Sequence, residues 1–155
     1  MTGYVLAGAL IAMAAWGSAA IFDKLALNAM RGVSPLAAVV VRMIFAVAAV
    51  CVVGVFSGVG EDIIAMRPMT FVYLALSALF AAVIGQVTYY YAANAGEVSK
   101  VVAFTAGYPL VTVAVAISLL GEPLTWLKVL GTLMTVSGLF VLTAFGSGKQ
   151  VIKEP

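Results

Sequence analysis

The sequence predicts an all-α membrane protein, a polytopic bundle of five transmembrane helices, on three observations. Sixty-five percent of the 155 residues are apolar and 9% are charged, with a mean hydropathy of +1.19; soluble domains run to about half apolar and a quarter charged. The charges are bunched, leaving residues 1–22, 43–60, 68–96, 101–121 and 129–148 free of them. Each interval, with its flanks, reaches the roughly 20 residues that cross a hydrocarbon core of about 30 Å as a helix. Finally, turn-forming residues separate the runs, among them Ser34-Pro35 and Gly121-Glu122-Pro123. The reading is one membrane domain over residues 1–145, with helices near 3–28, 35–56, 69–95, 100–120 and 123–145, and a polar tail over 146–155.

The first helix runs from about Gly3 to near Asn28. Ser18-Ala19-Ala20 resembles a signal-peptidase site, but no basic segment precedes it and the apolar run is too long for a signal core, so the helix is read as uncleaved. Trp16 falls near mid-depth, although Trp favours the interface, and is either a packing ring or a pocket wall. Asp23 and Lys24 lie one to two turns from the helix end, where charges must snorkel or pair.

Ser34 as cap and Pro35 in the first turn start the second helix. Arg42 then lies seven residues inside it, roughly 10 Å by helical rise. An arginine at that depth costs at least a few kcal/mol unless it is paired or wet, which makes it a functional-site candidate. Its structural alternative is an ion pair with Asp23, and the two roles are compatible.

The loop from Ser57 to Pro68 has ordinary turn chemistry, with Glu61, Asp62 and Arg67. In the third helix, Ser77, Ala81 and Gly85 recur every four residues, a small-residue ridge suited to close helix contact. Tyr89, Tyr90, Tyr91 and Asn94 crowd its second half as an aromatic belt or as part of a site. Gln86 shares a face with Tyr90 and needs a hydrogen-bond partner or a wet cavity.

After the polar hinge Glu97, Ser99 and Lys100, the fourth helix has Tyr108 and Pro109 near its middle. Proline has no N–H for the carbonyl of Thr105, four residues back, so the helix either kinks or opens a midplane site. Thr105, Tyr108 and Thr112 share a face there at spacings of three and four. The fifth helix carries Gly131, Thr135 and Gly138, a seam for association with another subunit or with the fourth helix.

Absences narrow the function. With no His and a single Cys, Cys51 in an apolar run, one chain holds no disulfide, no Cys/His zinc site and no His-based triad. Neither a catalytic set nor a metal nor a cofactor is expected, and the chain reads as no enzyme. A net charge of +2 is too small to argue for nucleic acid.

Gly121-Glu122-Pro123-Leu124-Thr125, then Gly131 and Gly138 with aliphatic residues between, resembles the closing signature of the EamA domain in the drug/metabolite transporter superfamily. Trp16-Gly17 with Lys24, Pro35 with Arg42, and the small-residue approach to Pro109 fit the same pattern, so the resemblance spans nearly the whole chain. It implies a carrier of small organic solutes or metabolites, expected in the cytoplasmic (inner) membrane of a prokaryote. Family members resemble two such units fused in inverted orientation, whereas this sequence has one, and Lys128 stands where the family often has glutamine.

Five crossings put the two ends of the domain on opposite sides, so a second unit in the opposite orientation would complete an inverted repeat. An antiparallel dimer is expected, with a second copy or with an inverted paralogue. Arg67 and Lys128 mark one side; Lys24, Arg31, Lys100, Lys149 and Lys153 mark the other and favour a cytoplasmic carboxyl terminus. The expected substrate-binding set is Trp16, Lys24, Arg42, Gln86, Tyr90, Thr105, Tyr108, Pro109 and Thr112. Its only deep charges are basic, which suits a solute with a carboxylate or phosphate beside an apolar part. The alternatives are a lipid-carrier flippase, which requires a groove open to lipid, and a non-transporting accessory subunit.

Overall fold

The computed structural model describes residues 3–30 and 32–145; the tail 146–155, and the Arg31, Lys149 and Lys153 of the charge count, lie outside the described residues. The described chain is all-α: α1 Gly3–Ala29, α2 Pro35–Ser57, α3 Gly60–Ala65, α4 Pro68–Ala95, α5 Val98–Thr105, α6 Tyr108–Leu120 and α7 Trp126–Phe145. Gly3–Ala29, Pro35–Ser57, Pro68–Ala95, Val98–Leu120 and Trp126–Thr143 are each long and apolar enough to cross a membrane, the polytopic helix bundle that the charge-free intervals predict. The chain forms two compact units, residues 1–95 and 96–155.

In the first unit, α2 starts as its sequence dictates. Ser34 is extended and its hydroxyl accepts from the Leu36 N–H, with Pro35 at the first helical position. At the other end, Gly58 takes a left-handed conformation (φ 68°), and Glu61 and Asp62 then fall in the first turn of α3, at the positive end of its dipole. That charge placement coils part of a segment whose composition reads only as loop. The apolar contacts concentrate where the second half of α4 meets α1 and α2. Leu27, Ala38, Val39, Tyr90 and Ala93 form the buried cluster there.

Helix α4 is not uniform. It is α-helical to Ala78, π-helical over Leu79–Gly85 and α-helical again from Gln86. In the π-segment residues four apart no longer stack, so the Ser77, Ala81, Gly85 ridge does not continue as one face. A side chain at Gly85 would place its Cβ 3.1 Å from the Phe80 carbonyl oxygen, and Thr88 hydrogen-bonds back to the carbonyls of Ile84 and Gly85 at 2.7 and 3.1 Å.

In the second unit, the crossing segment Val98–Leu120 is two helices rather than one kinked helix over 100–120. The Ala106 and Gly107 amides bond back to the carbonyls of Val102 and Phe104, closing α5, and the Leu110 amide bonds to Gly107 O as α6 begins. Pro109 therefore sits in a first turn, where no N–H is needed. Gly107 is demanded by proximity: a Cβ there would lie 2.9 Å from Leu139 Cδ1 on α7 and 3.1 Å from the Phe104 carbonyl oxygen. The leucine tip can move but the carbonyl cannot, so Gly107→Ala should cost about 1–3 kcal/mol, read as a lower unfolding midpoint in detergent.

Helix α6 closes on Gly121, left-handed at φ 65°, with the Glu122 amide reaching back to Ala116 O at 3.3 Å. The fifth crossing helix begins at Trp126 rather than near Pro123, because the Thr125 hydroxyl accepts from the Lys128 amide as a cap. Lys128 also fastens this turn from outside, with Nζ 2.8 Å from Glu122 Oε2 and 3.1 Å from Pro123 O.

Candidate functional site

Three helix ends set the depth of the polar cluster in the first unit. Asp23 lies six residues before the end of α1, Arg42 seven after the start of α2, and Tyr90 five before the end of α4. At 1.5 Å per residue these are depths of about 8–10 Å. Because α1 and α2 are joined by a short turn and Tyr91 meets Ser34 hydroxyl to hydroxyl at 3.3 Å, all three ends belong to one side.

Asp23 is the hub. The Tyr90 hydroxyl donates to Asp23 Oδ1 at 2.5 Å, and Arg42 Nε approaches the same oxygen at 3.5 Å. Asp23 is buried, 9% exposed, whereas the Arg42 side chain keeps about a third of its surface accessible, 33%. Among the described residues the Arg42 guanidinium makes no hydrogen bond, and its approach to Asp23 through Nε is too long for a bidentate fork. The ion pair exists and leaves donor capacity on the arginine.

The other candidates of this unit divide by role. Lys24, next to Asp23 in α1, donates to Ala93 O at 2.6 Å, in the last turn of α4, where a cation meets the negative end of the helix dipole. The three consecutive tyrosines have three different surroundings: Tyr90 is on Asp23, Tyr91 is on Ser34, and the Tyr89 ring stands edge-on to Tyr90 with centroids 5.7 Å apart. Gln86 lies one turn from Tyr90; its Oε1 and the Tyr89 hydroxyl are buried without a hydrogen-bond partner. Trp16 is two turns from Asp23 along α1, on the same face, and the residue is 67% exposed.

The first unit also holds an open apolar groove of about 640 Å³, running from Leu36 to Ala48 on α2 and from Ala82 to Val87 on α4. None of its lining side chains is charged or hydrogen-bonding.

In the second unit, Thr105 donates to Val102 O at 2.9 Å and Thr112 to Tyr108 O at 3.2 Å, so both hydroxyls are anchored to their own helices. Tyr108 is exposed, and Pro109 lines a groove of about 260 Å³ with Lys128, Gly131, Thr132 and Thr135. Gly131 and Gly138 both have open space where a Cβ would stand.

Asp23, whose contacts organise the first unit, is absent from the set expected to bind substrate. The signal was present: six residues before one helix end and seven after the next start are the same depth across a short turn. The free polar atom of Tyr89 and the turn-fastening role of Lys128 have no comparable mark in the sequence.

No curated protein and no solved structure matches the chain. The family model described as the EamA-like transporter family matches residues 1–144, which takes in every crossing helix and both groups of polar residues. With its five apolar helices, the chain is therefore an integral membrane protein that belongs to the EamA-like transporter family.

Proposed function

We propose that the protein is a carrier of small anionic or zwitterionic organic solutes, working by alternating access in a prokaryotic cytoplasmic membrane. The observation that carries the reading is the partly accessible Arg42, held at membrane depth by Asp23 with guanidinium donors to spare. A carboxylate or phosphate is the partner such a fork binds bidentately. The buried Tyr89 hydroxyl can donate to such an anion, and the buried Gln86 Oε1, an acceptor, suits an N–H or O–H of the solute. The exposed Trp16 adds an aromatic wall, the buried Tyr90 acts through Asp23, and Lys24 adds positive charge nearby. Thr105, Tyr108, Pro109 and Thr112, at the break between α5 and α6, form a polar group of their own within the second unit.

The groove between α2 and α4 favours a solute carrier over a flippase. A lipid head crossing along it would meet no polar side chain, and burying such a group unpaired costs several kcal/mol. Uptake of a radiolabelled solute panel into proteoliposomes tests the proposal. Accumulation of amino acids or organic acids supports it, and accumulation confined to cationic solutes contradicts it.

The proposed assembly is antiparallel, with a second copy of this chain or an inverted paralogue. Cysteine labelling from both sides of intact cells should find both orientations for a homodimer. A single orientation with no inverted paralogue would sink that form of the assembly. The proposed seam is Gly131, Thr135 and Gly138, where small residues and open space admit another backbone. Replacing both glycines with leucine should shift the detergent-solubilised protein from dimer to monomer, and an unchanged dimer would move the seam elsewhere.

A further inference from the structure

We propose that α4 has two registers and that Tyr89 is the second hydroxyl donor to Asp23, taking the place of Tyr90 when the π-segment Leu79–Gly85 winds into α-helix. The geometry follows from the backbone. A π-turn bonds each amide five residues back instead of four, so the segment stores about one residue more than an α-helix reaching the same point. Winding it to α passes that residue along the chain. Everything from Gln86 onward then turns by one position, about 100° at 3.6 residues per turn, and each place on α4 is filled by the residue before it.

A slip of one residue ordinarily exchanges buried side chains for exposed ones. Residues 89–93 escape this because they read Tyr-Tyr-Tyr-Ala-Ala. Tyr90 is on Asp23, Tyr91 is on Ser34, and Ala93 is fully buried in the cluster with Leu27 and Val39. After the slip Tyr89 meets Asp23, Tyr90 meets Ser34, and Ala92 fills the buried place. Each of these contacts is remade by the same type of residue. Lys24 bonds a backbone carbonyl, now Ala93 O, which any residue can supply.

Two further observations support a second register. The Tyr89 hydroxyl is buried without a hydrogen-bond partner, and its ring stands 5.7 Å from that of Tyr90. A stranded donor is costly in the present register and gains a carboxylate in the other. Gly85 closes the π-segment, and a Cβ there would lie 3.1 Å from the carbonyl oxygen of Phe80, five residues back, so glycine is what lets the wide turn persist. The slip has one cost: Gln86 moves into the place of Val87, which packs on the apolar cluster. That keeps the register described here the more populated. Register changes in helices take microseconds to milliseconds, a range suited to gating. Their use in a transport cycle rests on the carrier reading above, whereas the two registers do not.

The full chain in nanodiscs tests this through the two tyrosines, with no solute needed. In a single register, adding Tyr89→Phe to Tyr90→Phe deletes a hydroxyl that has no partner and leaves the unfolding midpoint unchanged or higher. With two registers Tyr89 rescues Asp23 in Tyr90→Phe, so the added Tyr89→Phe should lower the midpoint further, although Tyr89→Phe alone does not. Spin labels read the rotation in a Cys51→Ser background: one on Asn94, paired with Ile21 on α1 or with Val41 on α2, all exposed positions. A side chain roughly 5 Å from the helix axis moves by up to about 8 Å in such a turn. Tyr90→Phe should raise the population at the displaced distance on the order of 10-fold, and Gly85→Ala on the order of 5-fold. Tyr89→Phe should lower it. Deletion of Val83 removes the stored residue with Tyr90 still in place and should leave only the first distance. Should Tyr90→Phe fail to fold, Gly85→Ala carries the distance measurement. Distances unmoved in the folded variants, or a double variant no less stable than Tyr90→Phe, would overturn the proposal.

Discussion

Asp23→Ala should lower stability by about 3 kcal/mol, because it strips two partners at once. Arg42 loses its counter-charge and the Tyr90 hydroxyl its acceptor. Stranding one member of a buried ion pair costs about 3–5 kcal/mol, and a hydrogen bond to a charged group is worth about 1.5–3 kcal/mol. The third of the Arg42 side chain that remains accessible reduces the first figure. For a chain of this size the loss corresponds to roughly 6–12 °C in the unfolding midpoint. Asp23→Asn separates the contributions: the amide oxygen still accepts from Tyr90 but no longer neutralises Arg42, so its loss should be smaller. Adding Arg42→Gln to Asp23→Asn should recover part of it, since both charges then leave together. Strictly additive losses in the double variant would show that Asp23 and Arg42 are not coupled.

The second large effect is on transport. Arg42→Ala removes a charge-assisted contact worth about 3 kcal/mol, on the order of 100-fold in apparent affinity for an acidic solute. Arg42→Lys keeps the charge and loses the planar fork, and should cost on the order of 10-fold. Both variants also disturb Asp23, so unfolding midpoints are measured beside uptake. A folded Arg42→Ala protein that transports acidic solutes with unchanged affinity would remove Arg42 from the site.

The five crossings were legible because in a bilayer charge itself is the boundary signal. The start of α2 was legible because Ser34 and Pro35 act locally, through one hydroxyl and one fixed φ. What the sequence hid depends on backbone choices with no side-chain signature. The π-segment in α4 is one, since Leu79–Gly85 is as apolar and regular as any helical run. The division at Ala106-Gly107 is another: Pro109 marks a disturbance, but whether the chain bends or restarts turns on Gly107 meeting α7. Arg42 was legible as a charge at membrane depth and Asp23 as its partner. That Tyr90 rather than Tyr89 or Tyr91 reaches Asp23 follows from the rotation of α4 about its axis, which passes through the π-segment.

The central claim is that an acidic group on the solute is what Arg42 recognises. The direct measurement is uptake into proteoliposomes of matched pairs, an amino or organic acid against its own carboxamide, with the unmodified protein. The account predicts that the acid is carried and that its amide neither accumulates nor competes at equal concentration. Equal uptake of acid and amide would contradict it.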